Sequence, residues 1–243
     1  MDSNFLAKVA NDEYRLSYSS LKQLLETPRH FYNYFTQPRK ETDAMQLGTL
    51  VHCLVLEPMQ FEKRYFVANK PDQRTKVGKA EWAEILACND GKIVIPTETF
   101  NQAEAMAKAV FEHEEAHLFE DVTEFEKPFQ FEYRGLQLQG ITDGIGERLI
   151  LDLKTTANAK PKKFRWSFLE LYYHVQAALY CLANPNREYI IFAVDASGYV
   201  SVSRVGEQSL ALGKMLLDQA IDTYEACKMF DGWMNGYSGI SEL

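Results

Sequence analysis

Three runs between residues 123 and 156, "TEFEKPFQFEY", "LQLQGITDGI" and "RLILDLKTT", alternate with period two and are joined by the turn-like "RG" and "GIGE". Alternation of this kind marks strands with one buried face. The stretch therefore predicts a three-stranded meander, and any fold proposed for the chain must be built around it. Upstream the period is helical. "SYSSLKQLLETP" has a Ser start and a Pro after its end, "AMQLGTLVHCLVLE" is stopped by Pro58, and helices are expected over "AEWAEILAC" and from about Glu98 to Leu118. A short strand, "KIVI", separates the last two, and residues 68–79, polar and basic with Pro and Gly, read as a mobile surface loop. Downstream come one helix, "FLELYYHVQAALYCLA", strands "EYIIFAVDA" and "YVSVSRV", and a long helix from about Glu207 to Phe230. This order implies an α/β fold: a mixed central β-sheet flanked by helices, with an α-rich N-terminal half. With 243 residues, 46% of them hydrophobic, and no repeat or linker, the chain reads as a single domain, 1–243.

Composition excludes several classes. No window approaches 18 consecutive apolar residues, and the N-terminus lacks the basic start and apolar run of a secretory signal, so a soluble cytoplasmic protein with no membrane partner is expected. Four cysteines without C-x-x-C spacing read as reduced packing residues, and no iron–sulfur cluster is expected. A net charge of −8 argues against non-specific coating of nucleic acid. The charge is uneven, however. Acids crowd residues 111–126, whereas "KTTANAKPKKFRW" (154–166) holds five bases and no acid. A basic ridge beside an acidic site suits an enzyme that grips a polyanion in one place and a cation in another.

Leu149, Leu151 and Leu153 fill one face of the last meander strand. Asp152 and Lys154 then project together from the other, about 7 Å apart at about 3.3 Å per residue. If "GIGE" or its centre makes an even-length hairpin loop, Asp143 lies opposite residue 148 or 150 and shares that face. Two carboxylates this close repel unless a proton or cation lies between them. Mg2+ is the natural occupant, since hard cations take carboxylate and water oxygens. Lys154 cannot ligate, but it can hold a water or hydroxide beside the metal, as phosphodiester hydrolysis requires.

Asp143 followed by Asp152, Leu153 and Lys154 resembles the D…D/E-x-K signature of the PD-(D/E)XK nuclease superfamily. "GTLVHCLVLEP", with Gly48 and His52, resembles the G-x-x-x-H motif of its RecB-like branch, and "HVQAALY", with Gln176 and Tyr180, resembles that branch's Q-x-x-x-Y motif. The opening "LSYSSLKQLLETPRHFYNY" is similar to the N-terminal segment of RecE-type exonucleases (the C-terminal nuclease domain of exonuclease VIII), so the likeness spans nearly the whole chain.

The resemblance implies a restriction-endonuclease-like core in which His52, Asp143, Asp152 and the carbonyl of Leu153 hold one or two Mg2+ ions, with Mn2+ as a substitute. Asp143, Asp152, Lys154, Gln176 and Tyr180 form the catalytic set, Gln176 orienting the water, Lys154 or a DNA phosphate. Glu126 is a lesser candidate acid. Glu57, about 140° round the helix from His52, and His174, about 160° from Gln176, fall outside the set. Removing either aspartate is expected to abolish cleavage while leaving stability unchanged or raised. Lys160, Lys162, Lys163 and Arg165, with Arg74, Lys76 and Lys79 in the loop, are the candidate DNA contacts. RecE-type similarity further implies 5′-to-3′ digestion of linear duplex ends, leaving 3′ overhangs for a RecT-like annealing protein in recombination. It also implies a homo-oligomeric ring, trimer or tetramer, and a phage or prophage setting. A related endonuclease or opposite-polarity nuclease, and an inactive DNA-end-binding module, are the alternatives.

Overall fold

The computed structural model describes residues 2–38 and 40–237. In chain order its elements are α1 (Ser3–Ala10), β1 (Leu16–Ser17), α2 (Tyr18–Glu26), α3 (Pro28–Thr36), α4 (Asp43–Leu56), α5 (Phe61–Arg64), β2 (Tyr65–Ala68), α6 (Lys76–Ala87), β3 (Ile93–Pro96) and α7 (Thr97–Phe111). The second half holds β4 (Val122–Tyr133), β5 (Leu136–Gly146), β6 (Leu149–Thr156), α8 (Pro161–Glu170), α9 (Tyr173–Ala183), β7 (Glu188–Asp195), β8 (Val200–Arg204) and α10 (Glu207–Phe230). Short 3-10 segments follow α4 (Pro58–Gln60) and α7 (Glu114–Asp121).

The meander forms as the alternation requires, with one departure that shapes the site. β4 and β5 pair antiparallel from Tyr133–Leu136 back to Val122–Gly146. β6 joins β5 only at Gly144–Leu151 and Ile145–Ile150. It then leaves β5 and runs parallel to β7 along its whole length, while β1 takes the edge of β5 further along, at Leu138 and Gln139. With β8 antiparallel to β7, the result is a six-stranded mixed sheet that forks between β5 and β6. β2 and β3 make a separate parallel pair.

Helices cover both faces. Leu149, Leu151 and Leu153 of β6 pack with Leu50 and Val51 of α4 and Met106 and Val110 of α7. Ile150 faces the other way, toward Val175 and Leu179 of α9 and Leu217 and Ile221 of α10. The N-terminal helices are fastened to this second layer by an aromatic cluster in which Trp233 stacks on Phe31, with ring centroids 5.4 Å apart.

Three expectations are corrected. The single helix over 168–183 is two, because Tyr172 adopts a left-handed backbone (φ 59°). The Leu171 carbonyl just before it accepts from the Tyr18 hydroxyl, a long-range cap that local periodicity does not reveal. The polar loop ends early: Thr75 caps α6 by accepting from the Gly78 N–H, so Lys76 and Lys79 are helical. The helix expected to reach Leu118 stops at Phe111. Pro28 ends α2 and also opens α3, as its preset φ and missing N–H suit a first helical position.

Candidate functional site

The registers place three acids in a row across three strands. Phe125–Gly144 and Lys127–Thr142 flank the point where Glu126 meets Asp143. The step beyond Gly144–Leu151 sets Asp143 across from Asp152, rather than from residue 148 or 150, because the hairpin turns on Glu147 and Arg148 between Gly146 and Leu149. The shared face is as expected, but the partner is different. At the fork the Asp143 carboxylate replaces the missing ladder: its Oδ2 accepts from the Leu153 N–H at 2.7 Å.

The fork also admits a group from the other layer. His52 of α4 lies with its Nδ1 3.8 Å from Asp143 Oδ2. Gly48, one turn earlier, allows this approach, since a Cβ there would come within 2.8 Å of the Thr155 Oγ1 of β6. His52, Glu126 and Asp143 each offer one ligand atom, all within 4.8 Å of one another. His52 and Glu126 line a cleft of about 570 Å3 that also holds Glu57 and Arg64. Glu126 has a left-handed backbone (φ 49°), a conformation costing a non-glycine residue about 1 kcal/mol or more and concentrated at functional sites. Burial, reinforced by Asp143 and Glu57 and opposed by Arg64, pushes its carboxyl up to about 7. One imidazole and two carboxylates, one of them destabilised as an anion, fit a divalent cation.

Asp152 lies outside that 4.8 Å group. It is 2% exposed, its Oδ1 accepts from Lys154 Nζ at 2.7 Å and Gln176 Nε2 at 3.1 Å, and its buried Oδ2 makes no hydrogen bond of full geometry, with the buried Tyr189 hydroxyl as its neighbour. Burial raises its pKa and Asp143 adds to the rise, while Lys154 opposes it. Burial favours the neutral amine in Lys154, but Asp152 and Asp143 more than reverse this, so it stays an ammonium. A carboxylate oxygen this poorly bonded in a dry site is costly, and a cation bound at the fork would supply a stronger partner.

Gln176 therefore touches Asp152 directly, and α9 positions it. Tyr180, on the same helix, packs edge-on against Phe129 with centroids 4.9 Å apart, and burial beside Asp152 pushes its hydroxyl up to about 12. Tyr173 lies under Lys154, whose Nζ is 4.9 Å from the ring centroid. His174 turns away to the Phe168 carbonyl, and Glu57 is held by Arg64 at 2.6 and 3.0 Å. Leu153 contributes its N–H, while its side chain is fully buried. Lys160, Lys162, Lys163 and Arg165 are exposed around the start of α8, which reaches the site through the Phe164–Tyr173 ring contact at 6.3 Å. Arg74 is tied to Asp72, and Lys76 and Lys79 are exposed on α6; none of the three takes part in the contacts around the fork.

Glu126, a lesser candidate on sequence grounds, stands in one group with His52 and Asp143. Its signal was present: seven residues back from Tyr133 and seven on from Leu136, across the Arg134–Gly135 turn, lead to Glu126 and Asp143. Tyr173, which packs on Lys154, lies outside the sequence motifs.

Residues 17–235 match the family described as "PDDEXK-like domain of unknown function (DUF3799)", and the chain belongs to it. The crystal structure of a candidate exonuclease from Eubacterium rectale superposes with a TM-score of 0.64 at 13% identity, covering 94% of this chain and 86% of that one. At that identity the likeness is one of fold. Another solved structure, SSO0001, gives a TM-score of 0.33 at 11% identity over 84% of each chain and carries no argument. No curated protein sequence matches. Among the described residues, no helix is long and apolar enough to cross a membrane.

Proposed function

We propose that the chain is a divalent-metal-dependent deoxyribonuclease, folded as one domain, that hydrolyses the DNA backbone at the fork. The observation that carries this is the row of Glu126, Asp143 and Asp152 across β4, β5 and β6, with His52 closing one end and Lys154 the other. His52, Glu126 and Asp143 would hold the cation, with the Oδ2 of Asp152 and the Leu153 carbonyl as further donors. A bound Mg2+ or Mn2+ supplies charge stabilisation at phosphate oxygens and a more acidic water. Lys154, an ammonium braced by Asp152 and Tyr173, orients the nucleophile and offsets developing negative charge rather than acting as the base. Gln176 fixes the Asp152 carboxylate, and Tyr180 walls the site as a neutral phenol.

The finer reading is an exonuclease, supported by the fold likeness to the Eubacterium rectale protein and by the RecE-type resemblance. That resemblance favours 5′-to-3′ action on linear duplex ends, a RecT-like annealing partner, a ring of subunits and work in the cytoplasm. Lys160, Lys162, Lys163 and Arg165 suit contact with the DNA backbone. End-labelled linear and circular duplexes, incubated with and without Mg2+, test the reading. Metal-dependent loss of linear DNA alone is expected. Cleaved circles indicate an endonuclease, and binding without metal-dependent loss indicates a module without activity.

A further inference from the structure

Helix α2 is not explained by the metal centre, yet it packs against it. Tyr18, at its start, is raised by burial and by its neighbours Tyr173 and Asp152. One turn on, Lys22 lies half-buried with its Nζ 5.0 Å from the Tyr18 ring centroid. The residue a helix would normally offer as its partner, Glu26 at i+4, is engaged elsewhere: Tyr237 donates to its Oε2 at 2.6 Å, and Tyr172 also bonds it. Among the described residues Lys22 has no ion pair and no hydrogen bond. The charge that reaches it is a second ammonium, Lys154, and burial together with that repulsion holds Lys22 below the ordinary lysine value.

The surroundings are equally one-sided. Ser19, Lys22 and Gln23 share one face of α2, and His30 and Asn33 share one face of α3. These two faces line a cleft of about 440 Å3 whose walls include no carboxylate, in a protein with 34 acids and a net charge of −8. Hydroxyl, amide, imidazole and ammonium groups can all donate hydrogen bonds to an oxyanion. A half-buried cation with only a ring face beside it is unfavourable, and an anion in the cleft offsets both that cost and the repulsion from Lys154.

The geometry points to a phosphate subsite between α2 and α3, in which Lys22, assisted by Ser19, Gln23, His30 and Asn33, holds a phosphate of the DNA strand whose neighbouring phosphodiester lies at Asp152 and Lys154. The subsite rests on the nuclease reading and adds a second grip on the same strand. Its phosphate is either the terminal monoester of a DNA end or an internal diester, and the two have the same oxyanion chemistry.

The test is fluorescence anisotropy in EDTA with short duplexes bearing 5′-phosphate or 5′-hydroxyl ends, across a salt series, for wild type, K22M and K22R. K22M is expected to weaken binding about tenfold and to reduce the slope of log K against log salt by about one. K22R should keep most of both, and K22M should melt no lower than wild type, because it loses an unpaired cation. A larger loss on 5′-phosphorylated ends assigns the terminal monoester, and an equal loss assigns an internal diester. Wild-type affinity and slope in K22M overturn the subsite, as does a lowered Tm that K22R restores without any change in DNA binding. Wild-type protein that neither binds nor cuts DNA with Mg2+ overturns the nuclease reading and the subsite together. Wild-type cleavage with K22M indistinguishable from it overturns the subsite alone.

Discussion

Leu151 and Asp152 are adjacent on β6 and equally withdrawn from water, 0% and 2% exposed, yet they belong to opposite regimes. The leucine face meets α4 and α7 in a dry apolar layer where every contact is satisfied by dispersion and desolvation. The aspartate face holds an ion pair, an amide and a poorly bonded oxygen beside a second carboxylate. Burial is therefore no guide to what a position does. The leucine face holds β6 in place, and the aspartate face keeps groups in a state that an added cation relieves.

Substitution on the two faces should separate these roles. The largest expected effect is on turnover: D143N should lose about a thousandfold or more of metal-dependent cleavage while the metal-free protein melts at the same temperature or higher, since a repulsive neighbour is gone. A D143N protein that still cuts would break the contrast. Next, L151A should cost about 2–5 kcal/mol in denaturant unfolding and leave cation binding by the folded protein unchanged. D152N differs from D143N. It strands Lys154 without its partner, so a loss of about 3 kcal/mol is expected, and the double variant D152L/K154M should recover most of it. From sequence the two aspartates are expected to behave alike; the structure separates them, because Asp152 bonds the lysine whereas Asp143 reaches it only through space.

Smaller effects follow from Glu126. Its carboxyl moves from an ordinary 4.5 up to about 7 in the folded protein, so the native state holds a proton that the unfolded chain has released between those values. Stability of the metal-free protein should therefore fall as pH rises through that window, a slope that E126Q removes in a melting series. Cation affinity should move oppositely, tightening as pH rises through about 7, because the site must lose its proton to bind. Least of all, G48A should change stability by about 1 kcal/mol or less but weaken cation binding by pushing α4 off Thr155, and T155A should reverse the defect.

The strands of the meander were legible in sequence because alternation is a local property, and so was the shared face of Asp143, Asp152 and Lys154, because parity survives an error in loop length. The partner of Asp143 was not, since it depends on which two residues turn the hairpin. Glu126 stood out less, because period two says nothing of a left-handed residue inside a strand. The break at Tyr172 depends on a hydroxyl from Tyr18, and the isolation of Lys22 depends on Tyr237 claiming Glu26; both partners lie over 150 residues away along the chain.

The central claim is that the carboxylates of β4 and β5 with the imidazole of α4 form one cation site. Calorimetric titration of Mn2+ into wild type, H52A, E126Q, D143N and L151A measures it without reference to activity. The account predicts saturable binding by wild type and L151A and at least about tenfold weaker binding by the other three. Wild-type affinity in E126Q would contradict it.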